Sequence, residues 1–576
     1  MQVASAFDFV IRGGLVVDGT GETPFIADVA ITDGRIVEIG SISGAGKQEA
    51  DATDRVVTPG FVDIHTHFDG QAIWSSRLNP SSGHGVTTVV MGNCGVGFAP
   101  CRKEDHDLLI NVMEGVEDIP GAVMAEGLAW DWETFPQYLD ALEARPRDID
   151  TAVYLPHSPL RVYAMGQRGA AGEPATAEDL ALMQSLACEA IEAGALGFAS
   201  SRQVDHRTRE GKAIPSFEAA EAELLAIAGG LKRAGRGIIQ MIMDVPHLAW
   251  SGEIDLLTKL ARASGRPVTF SLGCDNDGSD GWRVALRMVE DANRAGASLT
   301  AQVFPRPIGM VLGHTLTVNP FCLCPSYKMI AGLPFVQKLE QLRRPEVRER
   351  LLKEQPDDST SALAKIGRRF EWMFPLAEPP DYEPPPESSI GSQATQRGVK
   401  PEELAYDLLL EQDGQSMLYV ALTNFPNASL DSVYELLRHE DTIIGLGDGG
   451  AHYGVVCDAS FPTSMLAYWT RDRDGERLPL AWAVRALACE PARLVGLNDR
   501  GVIAPGYKAD LNIIDYNRLT LHRPQVVFDL PAGGRRLDQI ADGYDLTMVS
   551  GEVICRKNAL TGALPGRLIR GPQECR

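Results

Sequence analysis

Positive charge is scarce in this chain. Its 576 residues include 54 Lys and Arg against 77 Asp and Glu, a formal net charge of −23. That balance argues against a nucleic-acid partner and against an anionic membrane surface, both of which need basic patches. An acidic substrate stays open, because a local Arg or Lys can override the global field. Long apolar runs are missing too, and none approaches the roughly 18 residues of a membrane span. The opening "MQVASAFDFVIRGG" has no basic region followed by an apolar core, so no signal peptide is expected. The ten cysteines show no disulfide-framework spacing, and Cys322 and Cys324 sit too close together for a zinc knuckle. A reducing cytoplasm is the expected setting. Histidine is sparse, with 11 in all.

What is present is a globular composition, 44% hydrophobic and 23% charged, in a chain long enough to bury a large core. Two of the few histidines fall in "TPGFVDIHTHFDG", at the end of an apolar run. In a strand, side chains at i and i+2 share a side, so His65 and His67 project together, with Asp63 beside them. Two imidazoles so placed can grip one metal ion. They can equally be two satisfied histidines at a barrel rim, and the rest of the chain decides.

Residues 1–57 read as β structure: "FDFVIRGGLVVDG", "ADVAITDG" and "RIVEIG" are short β-branched runs parted by Gly and Asp-Gly turns. Residues 496–576 repeat that texture in "DLNIIDYN" and "YDLTMVSGEVICRK". Both ends are expected to build one small β-sandwich around a larger body. In the body, "GIIQMIMD", "RPVTFSL" and "ASLTAQVF" alternate with helical stretches, about 30 residues apart, as βαβ units do. "GVTTVVMG", "DTAVYLP", "GALGFAS" and "DTIIGLGDGG" extend the series. About eight such strands over residues 58–495 predict a (β/α)₈ barrel, with a doubly wound open sheet as the alternative. Residues 305–435 are too many for one connection. They read as a partly helical insertion, of the kind that serves as a lid or an oligomer contact. A homo-oligomer is expected.

With these motifs in place, the chain resembles the amidohydrolase superfamily, and within it the N-acyl-D-amino-acid deacylases. The resemblance rests on "TPGFVDIHTH", "GVTTVVMGNCGVGFAP", "HSPLRVYAMG", "GALGFASSR", "IGLGDGGAH" and "ARLVGLNDRGVIAPGYKADLNIID". It implies a barrel with a composite β-sandwich and a metal-dependent hydrolysis of a C–N bond, most directly in an N-acyl amino acid or a related small amide. It places Cys94 at a metal-ligand position. Left to itself, Cys94 is also a small buried hydrophobe, the usual role of a free Cys.

The residues fit that implication. Asp448 ends "TIIGLGD", followed by glycines that let a ligand approach. Alone it is a turn residue of an Asp-Gly pair. With the histidine pair on a barrel rim, it reads as a metal ligand and as the group that shuttles a proton from water to the leaving nitrogen. Two imidazoles and a carboxylate suit Zn²⁺ with a position left for water. One tightly bound ion is expected, and a second is left open. The chain departs from the deacylases at the fifth and sixth strands, "IIQMIMD" and "VTFSLGCDN", which hold no histidine, and it lacks the lysine that follows the sixth. Gln240, Asp244, Cys274 and Asp275 are the nearest substitutes. His206, with Arg202, Arg207 and Arg209, forms a local basic cluster able to orient a carboxylate. Tyr327 and Lys328 are expected to reach the pocket from the insertion, and His452 to support Asp448 or a substrate oxygen. Two other functions compete: a mononuclear cyclic-amide hydrolase or deaminase, and a catalytically silent scaffold subunit.

Overall fold

Apolar runs of strand length pair in the order in which they occur. A computed structural model describes residues 7–244 and 250–575. Eight parallel strands form one sheet: β1 Phe61–Asp63, β2 Val86–Met91, β3 Asp150–Pro156, β4 Gly197–Ser201, β5 Ile238–Ile242, β6 Val268–Ser271, β7 Leu299–Val303 and β8 Thr442–Ile444. Each neighbouring pair is parallel. β2, β3 and β4 are buried along their whole length, which is why they read as unbroken apolar runs and not as alternating ones. The sheet curls into a barrel. Just past the ends of β1 and β8, Asp448 N–H donates to His65 O at 3.0 Å and His67 N–H donates to Gly449 O at 2.7 Å. This seam joins the first strand to the last.

Helices Ala177–Ala193, Glu221–Ala234, Trp250–Ser264 and Gly281–Arg294 follow successive strands and pack beside one another. The first starts on a capping box. Thr176 Oγ1 accepts from Asp179 N–H, and the Asp179 carboxylate accepts from Thr176 N–H. Such a cap stabilises a helix by about 1 kcal/mol. Met183, Ala187, Ala190 and Ile191 form its buried face.

The two ends of the chain meet in a nine-stranded sheet. Val56–Pro59 pairs antiparallel with Leu511–Ile514, so Thr58 faces Asn512 across about 450 residues of sequence. Ile11, Val29, Ile31, Leu511 and Met548 pack in its core. The expected insertion carries a sheet of its own, in which Leu418–Thr423 pairs antiparallel with both Ile308–Leu312 and Met373–Pro375. Helices Ile390–Arg397 and Pro401–Leu409 pack against it, and helices Phe335–Leu342 and Pro345–Leu351 join a separate cluster. Proline at the first helical position separates that pair. A bridge between Asp275 and Thr423 ties this sheet to the loop after β6, at the C-terminal end of the barrel. Among the described residues no helix is long and apolar enough to cross a membrane.

Candidate metal centre and active site

β1 ends at Asp63, so His65 and His67 stand just beyond the strand and not within it. The seam holds them there instead. Asp63 Oδ1 accepts from His65 N–H at 3.1 Å, and burial pushes the Asp63 carboxyl up to about 8. After β2 the chain turns sharply through Gly92-Asn93-Cys94-Gly95. Gly92 has φ +83°, and a Cβ there would stand 2.4 Å from Tyr154 O, so only glycine fits. Cys94 itself has φ 56°. Its N–H donates to Gln240 Oε1 at 3.0 Å, and Asn93 Nδ2 donates to Val90 O at 2.9 Å. These bonds fix the thiol above the strand ends.

Three donors converge there. Cys94 Sγ lies 3.3 Å from His65 Nε2 and 3.7 Å from His67 Nε2, and one donor atom from each residue lies within 4.8 Å of the others. Asp448 Oδ1 stands 3.5 Å from His65 Nε2 and 3.7 Å from His67 Nε2. His65 Nδ1 lies 2.8 Å from Gln302 Oε1. That oxygen only accepts, so Nδ1 carries the hydrogen and Nε2 keeps a free lone pair. Burial pushes the His65 imidazole down to about 4, so it is neutral near pH 7.

The electrostatics ask for a cation. Burial opposes a charge on His67, but Glu117, Cys94 and Asp448 outweigh it and raise its pKa well above the ordinary value. Burial also opposes ionisation of Asp448, yet His67, His65 and His452 hold its carboxyl below the usual range. The Cys94 thiol is pushed up to about 12 by burial. Among the described residues, His67 Nδ1 and Glu117 Oε1 are buried without a hydrogen bond and face each other at ion-pair distance. A soft thiol, two imidazoles and a carboxylate around one point are a donor set that suits Zn²⁺.

Glu117 is the functional neighbour that sequence reasoning missed. It ends helix His106–Glu117 and is buried. Its Oε1 lies 3.4 Å from His67 Nδ1 and its Oε2 lies 3.5 Å from His452 Nε2. His452 N–H also donates to Glu117 O. One carboxylate thereby orients two imidazoles.

His206 reaches the same cavity as His65, His67, Cys94, Asp448 and His452. Its Nδ1 meets Ser201 Oγ at 2.8 Å, and burial pushes it down to about 3. The basic cluster expected around it does not form at the cavity. Arg202 turns to Glu253 at 3.4 Å and lines a different hollow. Arg207 donates to Val204 O, and Arg209 pairs with Glu114 on the exposed surface. Each guanidinium follows the nearest carboxylate or carbonyl.

Tyr327 and Lys328 are also corrected. Helix Pro325–Ala331 turns Tyr327 into the insertion's own core, 3.1 Å from His314 Nδ1. It turns Lys328 outward to Asp357 at 2.8 Å. Gln240 positions Cys94, Asp244 Oδ1 accepts from Val204 N–H, and Cys274 packs against Asn424. His157 is held between Ser200 and Glu223. His247 lies outside the described residues.

The cavity above the donors measures about 330 Å³. Its walls are mixed, with Met243, Trp250, Leu272, Trp282, Phe304 and Leu446 the chief apolar members beside the histidines and acids. Ile308 and Thr423 of the insertion complete one side. A barrel with a donor cluster at its C-terminal end and a chamber of mixed lining above is an architecture for chemistry on a small molecule.

The profile of the amidohydrolase family Amidohydro_3 matches residues 48–555. An uncharacterised protein of Mycobacterium tuberculosis is 28% identical over 90% of this chain and 86% of its own. The D-aminoacylase of Alcaligenes xylosoxydans xylosoxydans is 26% identical over 98% of this chain and 97% of its own. Among solved structures, a D-aminoacylase described with a binuclear metal centre superposes with a TM-score of 0.66 at 23% identity, covering 98% of this chain and all of that one.

Proposed function

Because the chain belongs to the amidohydrolase family, we propose that it hydrolyses the C–N bond of a small amide, an N-acylated amino acid or a related compound, with a metal held by His65, His67, Cys94 and Asp448. The observation that carries this reading is the convergence of two Nε2 atoms, one thiol and one carboxylate at the floor of one cavity. A single zinc ion there would supply a Lewis acid and bring the pKa of a water to about 7.

The chain's own residues do the rest. Asp448 takes a proton from the attacking water on its carboxylate and passes it to the departing nitrogen, whose protonation must precede C–N cleavage. The histidines keep this carboxyl ionised, so it carries no proton of its own when the water approaches. His206 and His452 line the cavity where they can hydrogen-bond the amide. Glu117 holds His67 and His452 in register.

Elemental analysis of the purified protein, followed by a hydrolysis screen on N-acyl-D- and N-acyl-L-amino acids and simple amides, tests the proposal. The His65→Ala/His67→Ala variant should lose both metal and turnover. Full metal occupancy in that double variant, or no amide cleavage by the metal-loaded protein, would refute it.

A further inference from the structure

Every side chain that faces the substrate space in this cavity is neutral, imidazole or acidic among the described residues. No Lys or Arg lines it. Residues 245–249, Val-Pro-His-Leu-Ala, contain neither type. The cations nearby are committed elsewhere. Arg306 is buried against Asp458 at 2.7 Å, with Ser460 on a second nitrogen. Arg283 stacks on Trp282 and is tied to Glu435 at 2.6 Å and to Asp280. Arg202 is held by Glu253. With Asp448 assigned to the metal, Asp458 to Arg306 and Glu117 to the imidazoles of His67 and His452, one lining carboxylate remains unpaired among the described residues. Asp275 is exposed at the rim, and among the described residues it makes neither an ion pair nor a side-chain hydrogen bond.

A carboxylate entering this space would lose water, meet no guanidinium or ammonium among the described lining residues, and face the like charge of Asp275. Burial of an unpaired anion is among the costliest exchanges a site can make. A neutral amide loses far less. A protonated amine would meet Asp275, with Trp250 lining the same cavity. The aromatic and branched walls also favour a substrate with a sizeable apolar body.

We infer that the non-reacting end of the substrate carries no carboxylate: the cavity takes neutral or cationic amides with an aromatic or branched apolar body, and Asp275 reads the positive end. The inference rests on the amide-hydrolase reading above and narrows it. Asp275 is a specificity residue on this account, remote from the reacting atoms.

Three probes separate the possibilities: N-acetyl-phenylalanine, its primary amide and its 2-aminoethylamide, each in both enantiomers. With zinc-loaded enzyme, kcat/KM should be at least tenfold higher for the two carboxylate-free compounds than for the acid. Asp275→Asn should lower the advantage of the aminoethylamide over the primary amide by about threefold or more while leaving the primary amide's ratio to the acid largely in place. Calorimetric binding of the same probes to zinc-loaded Asp448→Asn reads the preference without turnover. A preference seen in binding with no cleavage of any probe would leave this inference standing and defeat the hydrolase reading. Equal or better binding or cleavage of the acid overturns the inference, as does failure of all three probes to bind.

Discussion

Asp448 is asked to do two things at once, and its surroundings explain how. Oδ1 makes both short approaches to the imidazoles. Its backbone sits at φ 48°, a conformation Asp tolerates better than most residues, and Leu446 and His452 on either side are left-handed as well. Non-glycine residues in that region carry strain, and strain gathers where geometry matters more than stability. Asp448→Asn keeps size and one ligating oxygen but removes the base. It should fold, retain much of its metal and lose roughly 10²-fold or more in kcat, the scale of a missing general base. Metal content and turnover measured on one preparation decide the matter, since near-normal turnover would hand the proton to His452 or His206. Gln302 offers a second residue-level test. Among the described residues, its side-chain hydrogen bond to the centre is the one to His65 Nδ1. Gln302→Leu removes the partner that fixes the tautomer, and metal affinity should fall by about 10- to 100-fold in a chelator competition. Unchanged affinity would mean that packing alone orients the ring.

At the scale of elements, the loops after β1, β2 and β8 build the site, held by backbone bonds across the seam and by side-chain acceptors such as Asp63 and Gln240. Gly92 is the sharpest case. Alanine there must adopt φ +83° with its Cβ 2.4 Å from a backbone carbonyl that cannot swing aside. Gly92→Ala should therefore cost more than 1 kcal/mol in urea unfolding and displace Cys94 enough to lower metal occupancy. A variant with normal stability and full metal content would show that the turn is not what seats the thiol. The strands that carry these loops were legible in advance because buried parallel strands read as apolar runs, and "DTAVYLP" spans β3 residue for residue. The histidine pair was legible from its spacing, and Cys94 from resemblance. Glu117 was not, because a single acid at the end of an amphipathic helix looks like any solvated one until the helix is docked. Gln240 and Gln302 did leave a trace. Each is a polar residue inside an apolar strand, "IIQMI" and "LTAQV", where a buried amide needs a partner. Tyr327, Lys328 and Arg202 went astray for one reason: their directions depend on how the insertion and the loop after β4 pack, which local pattern does not encode.

Across the whole molecule, the end of the barrel opposite the site is where the chain's two halves are fastened, and charge does it. Asp150 opens β3 and is buried. Its Oδ2 accepts from Arg500 at 2.6 Å and from Lys508 at 2.8 Å, and its Oδ1 accepts from Arg567 N–H at 2.8 Å. One carboxylate thus joins the barrel to the return into the β-rich domain and to the C-terminal tail. Burial opposes its ionisation, but Lys508 and Arg500 outweigh burial and hold it down to about 2. A carboxyl held below its unfolded value near 3.8 stabilises the fold fully above that value. The contribution is lost as pH falls through the folded value. Asp150→Asn keeps the shape and removes the charge, leaving Arg500 with Asp499 and Lys508 with Asp510 as partial compensation. The variant should unfold at lower urea concentration than the parent, and the gap should stay constant from pH 7 to about 4. Between about pH 4 and 2 it should close, because the parent's own carboxyl becomes protonated there and resembles the amide. A gap that persists unchanged to pH 2 would mean that Asp150 acts through its backbone-facing oxygen and not through its charge.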